Sequence, residues 1–132
     1  MRDFKNIKAW QHADKLAILI YKRTRSFPKE ELYGITSQLR RAAISAPTNI
    51  AEGASREHKN EYLQFLFIAR GSLYESNYLL HVSRRLGFLT ENNYRELINL
   101  LEEATKTLHG LIKSVKQESP RYSKVYGLKS KV

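Results

Sequence analysis

The stretch from Ile35 to Gly53, ITSQLRRAAISAPTNIAEG, most constrains what this chain can fold into. It carries two stripes at helical spacing. Leu39, Ala43, Ala46 and Ile50 recur every three or four residues and make an apolar stripe. Gln38, Arg41, Ser45, Asn49 and Glu52 recur in the same way, about a third of a turn round. One reading is an ordinary amphipathic helix with a solvated polar side. The sharper reading is a helix packed on both sides, because Ser45 and Asn49 are short and have small alanines for neighbours, which a free surface does not need. On that reading Gln38, Ser45, Asn49 and Glu52 hold the helix against a neighbour. Arg41 joins them through Ser45 or through an acidic residue of another helix. Pro47 removes one backbone donor and crowds the carbonyl of Ala43, which predicts a bend or a break. Gly53 suits a left-handed C-terminal cap.

The same periodicity predicts three further helices. The first runs from about Lys8 to Ser26, with Trp10, Ala13, Leu16, Ala17, Ile20 and Thr24 inward and Lys8, Lys15 and Lys22 facing away. Phe27-Pro28 ends it, since the residue before a proline avoids the helical region. Residues 29–34 form a connection, with Phe27 and Tyr33 expected to pin it to the bundle end. The next helix takes Ser55 as its N-cap, has Glu57 in its first turn and reaches about Leu86. Its inward stripe is Tyr62, Phe65, Leu66, Ala69, Leu73, Leu80 and Leu86. Gly71 lies in a patch of small residues with Ala69, Ser72 and Ser76. A helical glycine costs about 1 kcal/mol, so Gly71 predicts a close approach by another backbone. Gly87 caps this helix and Thr90 opens the last one, from about Glu91 to Glu118.

No segment alternates with a two-residue period, so the expected class is all-α. Four helices with short connections make an antiparallel up-down-up-down bundle over residues 1–120. The last two helices would span roughly 40 Å and the first two roughly 30 Å, so the longer pair offers surface to another subunit. Residues 121–132, RYSKVYGLKSKV, form a basic tail that is expected to be disordered in the free protein and to gain order on a phosphate backbone or a partner.

The 132 residues contain 23 Lys and Arg against 13 Asp and Glu, a net charge of +10, which favours polyanionic partners. A basic protein that is merely soluble has the same composition. The cations cluster at Lys22, Arg23 and Arg25, at Arg40 and Arg41, at Arg84 and Arg85, and in the tail at Arg121 and Lys124. In an up-down bundle the ends of the first and third helices meet, with the start of the second close by. Lys22, Arg23, Arg25, Arg40, Arg84, Arg85, Arg121 and Lys124 are therefore the candidate nucleic-acid-binding residues. Phosphate contacts from them would be salt-dependent and weakly selective for sequence. No recognition helix or RNP-type stacking platform is apparent.

Catalytic chemistry has no positive signal. There is no cysteine. A di-iron bundle needs Glu-x-x-His pairs, and no glutamate lies three residues before a histidine. His12, His58, His81 and His109 are scattered, and His58 with Glu61 reads as surface polarity. HExxH, P-loop, GxGxxG and nucleophile-elbow patterns are missing. Adjacent Glu102 and Glu103 point in different directions. No catalytic residue, metal or cofactor is expected. The N-terminal MRDFKNIKAW has no apolar core of a secretory signal, and no run approaches the roughly 18 apolar residues of a membrane span. The expected location is cytoplasmic, with no membrane partner.

Four blocks carry a family resemblance: DFKNIKAWQHA at Asp3 to Ala13, FPKEELYGITSQLRRAAISAPTNIAEG at Phe27 to Gly53, EYLQFLFIARGSLYE at Glu61 to Glu75, and LGFL at Leu86 to Leu89. Over about Phe4 to Lys116 the chain resembles the small proteins encoded in intervening sequences of bacterial 23S ribosomal RNA genes. Related to these is the accessory variability determinant of diversity-generating retroelements. The resemblance implies a four-helix bundle that assembles as a ring, typically a homopentamer. Gln38, Arg40, Arg41, Ser45, Pro47, Asn49, Glu52 and Gly53 match the family's signature. In the retroelement branch it implies a basic ring that binds nucleic acid and a reverse transcriptase; the chain resembles the ribosomal branch more closely. The leading expectation is a non-enzymatic basic oligomer that binds RNA or DNA through phosphates. The alternative is a protein-interaction or scaffold module whose charge only keeps it soluble.

Overall fold

The four periodic stretches become four long helices in a computed structural model that describes residues 2–119. They are α1 (Lys8–Arg23), α2 (Ser37–Ala54), α3 (Lys59–Arg85) and α4 (Glu91–Gln117). No strand occurs among the described residues. The basic tail, with Arg121 and Lys124, lies outside them. Each helix packs against two others, α1 on α2 and α4, and α3 on α2 and α4, and the α2–α3 contact is the most extensive. The shared core is built from Leu16, Ile20, Leu39, Ile50, Leu66, Leu73, Leu80, Leu97 and Leu108, all shut off from solvent.

Local chemistry sets the helix ends. The Thr90 hydroxyl accepts from the Asn93 N–H at 3.0 Å and opens α4. Gly87, at φ 80°, closes α3. Its N–H donates to the Arg84 carbonyl at 3.0 Å, and the Phe88 N–H reaches back to Ser83 at 2.9 Å. Only a residue without a Cβ takes that left-handed turn cheaply. α1 tightens into a single turn, Thr24–Ser26, before Pro28. The connection to α2 makes one tight turn at Lys29–Glu31 and then kinks within Leu32–Thr36, where Gly34 leaves the helical region at φ −113°, ψ −118°.

Several sequence expectations are corrected. Of the bend or break expected at Pro47, the break does not occur: α2 runs unbroken through this residue, which is buried. Packing on both α1 and α3 holds it, and side chains supply donors to nearby carbonyls, Thr48 to Ile44 at 2.7 Å and Asn49 to Ser45 at 2.8 Å. Gly53 is not a cap. It lies inside α2, where an added Cβ would stand 2.8 Å from the Cβ of Phe65 and 3.0 Å from the Tyr62 ring. Ser55 ends α2 instead of opening α3, its hydroxyl donating to the Glu52 carbonyl at 2.6 Å. His58 precedes α3 with no side-chain cap. Phe27 does pin the end of the bundle, its ring 5.5 Å from that of Phe88, but Tyr33 is 94% exposed. Leu86 is 58% exposed, because the cap turns the chain there before the stripe can continue inward. Among the described residues a Cβ at Gly71 would meet nothing within 4 Å, so none of their backbone packs closely there.

The lead-in before α1 has a structural role that its composition hides. The Arg2 guanidinium donates to the carbonyls of Arg56 at 2.9 Å and Ala54 at 3.3 Å, and lies 4.3 Å from the Tyr62 ring centroid. It also stands 3.6 Å from Glu118, so one side chain ties the N-terminus to the ends of α2 and α4. The Tyr62 hydroxyl is buried and has no hydrogen-bond partner among the described residues. Burial raises its pKa above the usual tyrosine value, Arg2 opposes the rise and Glu118 adds to it.

Two predictions follow from this packing. In urea titrations Gly53→Ala lowers stability by about 1–3 kcal/mol through overpacking, whereas Gly71→Ala raises it by about 0.5–1 kcal/mol. The unfolded chain loses the Tyr62 proton first, near the ordinary value of about 10. Stability is therefore full below that pH and falls as pH rises through the higher folded-state value. Comparing alkaline melts, Tyr62→Phe shows a smaller loss than the wild type and equal or higher stability at neutral pH, since it removes an unpaired buried hydroxyl.

Candidate nucleic-acid interface

The ends of α1 and α3 and the starts of α2 and α4 meet at one end of the molecule. Arg23 reaches Glu96 at 2.9 Å, Arg40 donates to the Thr24 hydroxyl at 2.8 Å, and Arg84 reaches Glu91 at 2.9 Å. This end carries Lys22, Arg23, Arg25, Arg40, Arg84 and Arg85, but they are not equivalent. Arg23 and Arg84 are paired with carboxylates, and the Arg84 guanidinium also lies 4.8 Å from the Tyr94 ring centroid. Arg40 is held by Thr24 and lies 5.0 Å from the Tyr21 ring centroid. Lys22, Arg25 and Arg85 are exposed and make no ion pair among the described residues.

Lys29 belongs with them and was hidden in the sequence by its neighbours Glu30 and Glu31. The Glu31 carboxylate turns back to its own backbone and accepts from the Ile35 N–H at 3.4 Å. Arg25, Lys29 and Arg40 line a shallow hollow of about 290 Å³ with no carboxylate in its wall. Three cations around one hollow suit a phosphate group, while the buried Thr24 hydroxyl is taken up by the Ile20 carbonyl and by Arg40.

Of the polar stripe of α2, only Ser45 bonds to α3 among the described residues; Gln38, Arg41 and Glu52 are exposed and Asn49 bonds within its own helix. Ser72 donates to the Ser45 hydroxyl at 2.7 Å, and the Asn49 amide donates to the same hydroxyl at 3.1 Å. Gln38, Arg41 and Glu75 stand at the rim of a cleft of about 480 Å³ over this pair. Arg41 makes no ion pair among the described residues, with Glu75 or otherwise. Glu52 pairs at 3.9 Å with Arg56, just past the end of α2. Pro47 and Gly53 are buried components of the helix.

The structure also gathers cations that no linear cluster announces. Arg70, Lys113 and Lys116 flank Tyr74 and His109 between α3 and α4. Four-residue spacing of Arg70, Tyr74 and Tyr78, set beside His109, Lys113 and Lys116, is the signal that would have found them. His58 and Glu61 are both exposed. Among the described residues no group of three or more His, Cys, Asp or Glu side chains is placed to hold a metal, and no helix is long and apolar enough to cross a membrane.

An all-α bundle with a cationic end is the class these features define. The chain belongs to the family of 23S rRNA-intervening sequence proteins, which it matches over residues 5–110. Among solved structures it is similar to a protein of unknown function from the S23 ribosomal protein family of Bacteroides thetaiotaomicron. That match has a TM-score of 0.71 and 23% identity, and covers 80% of this chain and 98% of the other. At that identity the likeness establishes the fold. No curated protein matches the sequence.

The division of labour among the arginines is measurable. Arg40→Ala costs about 1–2 kcal/mol in urea titration, since it removes a partly buried charged hydrogen bond and a ring contact. Arg85→Ala changes stability by less than about 0.5 kcal/mol.

Proposed function

We propose that this protein is a non-enzymatic, basic bundle that binds RNA or DNA non-specifically through backbone phosphates. The observation that carries the reading is the end of the molecule where Lys22, Arg25, Lys29 and Arg85 stand exposed with no ion-pair partner among the described residues, on a chain of net charge +10. Surplus charge of one sign is a footprint for a polyanion.

The bundle is read as antiparallel, up-down-up-down, a sense that the end contacts from Arg23, Arg40 and Arg84 support. It is further proposed to assemble as a ring, five-fold as the resemblance implies. A closed ring joins two different patches of each protomer head to tail. Two are available on opposite sides. Between α1 and α4 runs a groove of about 830 Å³, with Trp10, Ile18, Leu19 and Leu100 in its wall. On the α2–α3 side Ile68 is 51% exposed, one turn from Ser72. That apolar groove equally favours the second reading, a protein-interaction module, with a reverse transcriptase among the partners the resemblance implies.

A filter-binding salt titration tests the main reading. Affinity for an arbitrary duplex falls steeply as salt rises, and Lys22→Glu, Arg25→Glu and Arg85→Glu together reduce the log–log slope by about 3. The loss is the same for every sequence tried. Flat salt dependence rejects phosphate binding and leaves the scaffold reading. Light scattering tests the ring: Ile18→Glu reduces the particle to a single protomer if the groove is a subunit contact.

A further inference from the structure

The side of the molecule between α3 and α4 differs from the cationic end. Its furrow, of about 540 Å³, is walled by Arg70, Tyr74, His109, Lys113 and Lys116, with no carboxylate in the lining. It continues into a second hollow of about 360 Å³ formed by Tyr74, Asn77, Tyr78 and His81. Tyr74 is 52% exposed and Tyr78 65% exposed. A soluble helix does not need two large aromatic rings in water, and they lie one turn apart, about 6 Å along the axis.

The furrow is organised. The Tyr74 hydroxyl and the Nε2 of His109 are 3.2 Å apart, and the two rings meet edge to face at 6.4 Å. This contact across the helix pair holds the Tyr74 ring in place. Below it Phe67 is sandwiched by cations, with the Arg70 guanidinium 5.1 Å and the Lys116 ammonium 5.7 Å from its ring centroid. Arg70, Lys113 and Lys116 form no ion pair among the described residues. Unpaired cations and exposed rings therefore share one track, the cations gathered near Phe67 and the tyrosines running on beyond them.

We infer that the furrow between α3 and α4 binds single-stranded nucleic acid, with Tyr74 and Tyr78 stacking on unpaired bases and Arg70, Lys113 and Lys116 holding the phosphates. The inference rests on the reading that the protein binds nucleic acid and adds a preference that the cationic end cannot supply. Stacking on exposed aromatics requires bases whose flat sides are free, which a duplex does not offer. Charge complementarity favours a polyanion over an ordinary protein partner, because no acid interrupts the track. The subunit contacts proposed above use the α1–α4 and α2–α3 sides and leave this one open.

Fluorescence anisotropy at low salt provides the test, with a labelled uridine oligomer of about 12 nucleotides, within the site size usual for such grooves, and a duplex of the same length. Wild-type protein is expected to bind the single strand more tightly. The double variant Tyr74→Ala with Tyr78→Ala loses about tenfold or more for the single strand and less than twofold for the duplex. Tyr74→Phe, which keeps the ring, retains single-strand binding, and Lys113→Glu weakens it. Because both tyrosines are exposed, circular dichroism of the alanine variant stays as in the wild type. Wild-type protein that binds neither probe overturns both this inference and the proposed function. Tight binding of both probes, unaffected by the loss of the tyrosines, overturns the inference alone. So does displacement of the strand by polyglutamate at equal concentration, which reassigns the furrow to an acidic protein partner.

Discussion

The closeness of α2 to α3 governs the rest of the structure, and it depends on what is missing from their side chains. α2 buries Ala42, Ala43, Ala46 and Gly53, and α3 buries Ala69, Ser72 and Ser76. At Gly53 the helix backbone itself rests on the Phe65 side chain and the Tyr62 ring, with no room for a methyl group. Bringing two helices together this tightly lets short hydroxyls meet directly, as Ser45 and Ser72 do at 2.7 Å. Longer polar side chains would hold the helices apart or need water between them. The proline is absorbed by the same arrangement. Pro47 presents an apolar ring to a packed interior, and contacts on two sides supply what its lost hydrogen bond would have given.

This economy explains which parts of the fold the sequence discloses. Long apolar periods in α1 and α4 translate directly into buried stripes, because leucine, isoleucine and alanine every three or four residues have one low-energy disposition. Buried serines are harder to see. Ser76 and Ser83 are shut off from solvent, yet each donates to a carbonyl of its own helix, to Ser72 at 2.9 Å and Leu79 at 2.8 Å. A hydroxyl satisfied in this way behaves as a small apolar residue, and nothing in a hydropathy pattern marks it. Glycines divide similarly. Gly87 follows a helix and precedes an N-cap, so its conformation is set locally. Gly53 looks the same in sequence, but its role is decided by Tyr62 and Phe65, which approach from the next helix.

The N-terminal lead-in shows the limit from the other direction. Arg2 looks like one more surface cation. In the fold it joins two backbone carbonyls, a tyrosine ring and a carboxylate from three separate regions. A residue that gathers contacts so far apart in the chain can be recognised only once those regions are adjacent. Its cost is also visible, since it covers the Tyr62 hydroxyl without offering that group a partner.

Charge follows a related rule. Adjacent cations on a helix point in different directions, so each sequence cluster splits when folded. Arg23 pairs with Glu96 while Lys22 and Arg25 remain unpaired among the described residues; Arg40 is held by Thr24 while Arg41 stands at a cleft rim; Arg84 pairs with Glu91 while Arg85 does not. One member of each cluster serves the fold and another is left over. The cations of the α3–α4 furrow come instead from positions far apart in the chain, which is why linear clustering misses them. These surplus cations make no ion pair among the described residues, and their mutual repulsion opposes compactness. The polyanion proposed above would relieve that repulsion, and the unpaired members at the bundle end and in the furrow are where it would do so without dismantling an ion pair of the bundle.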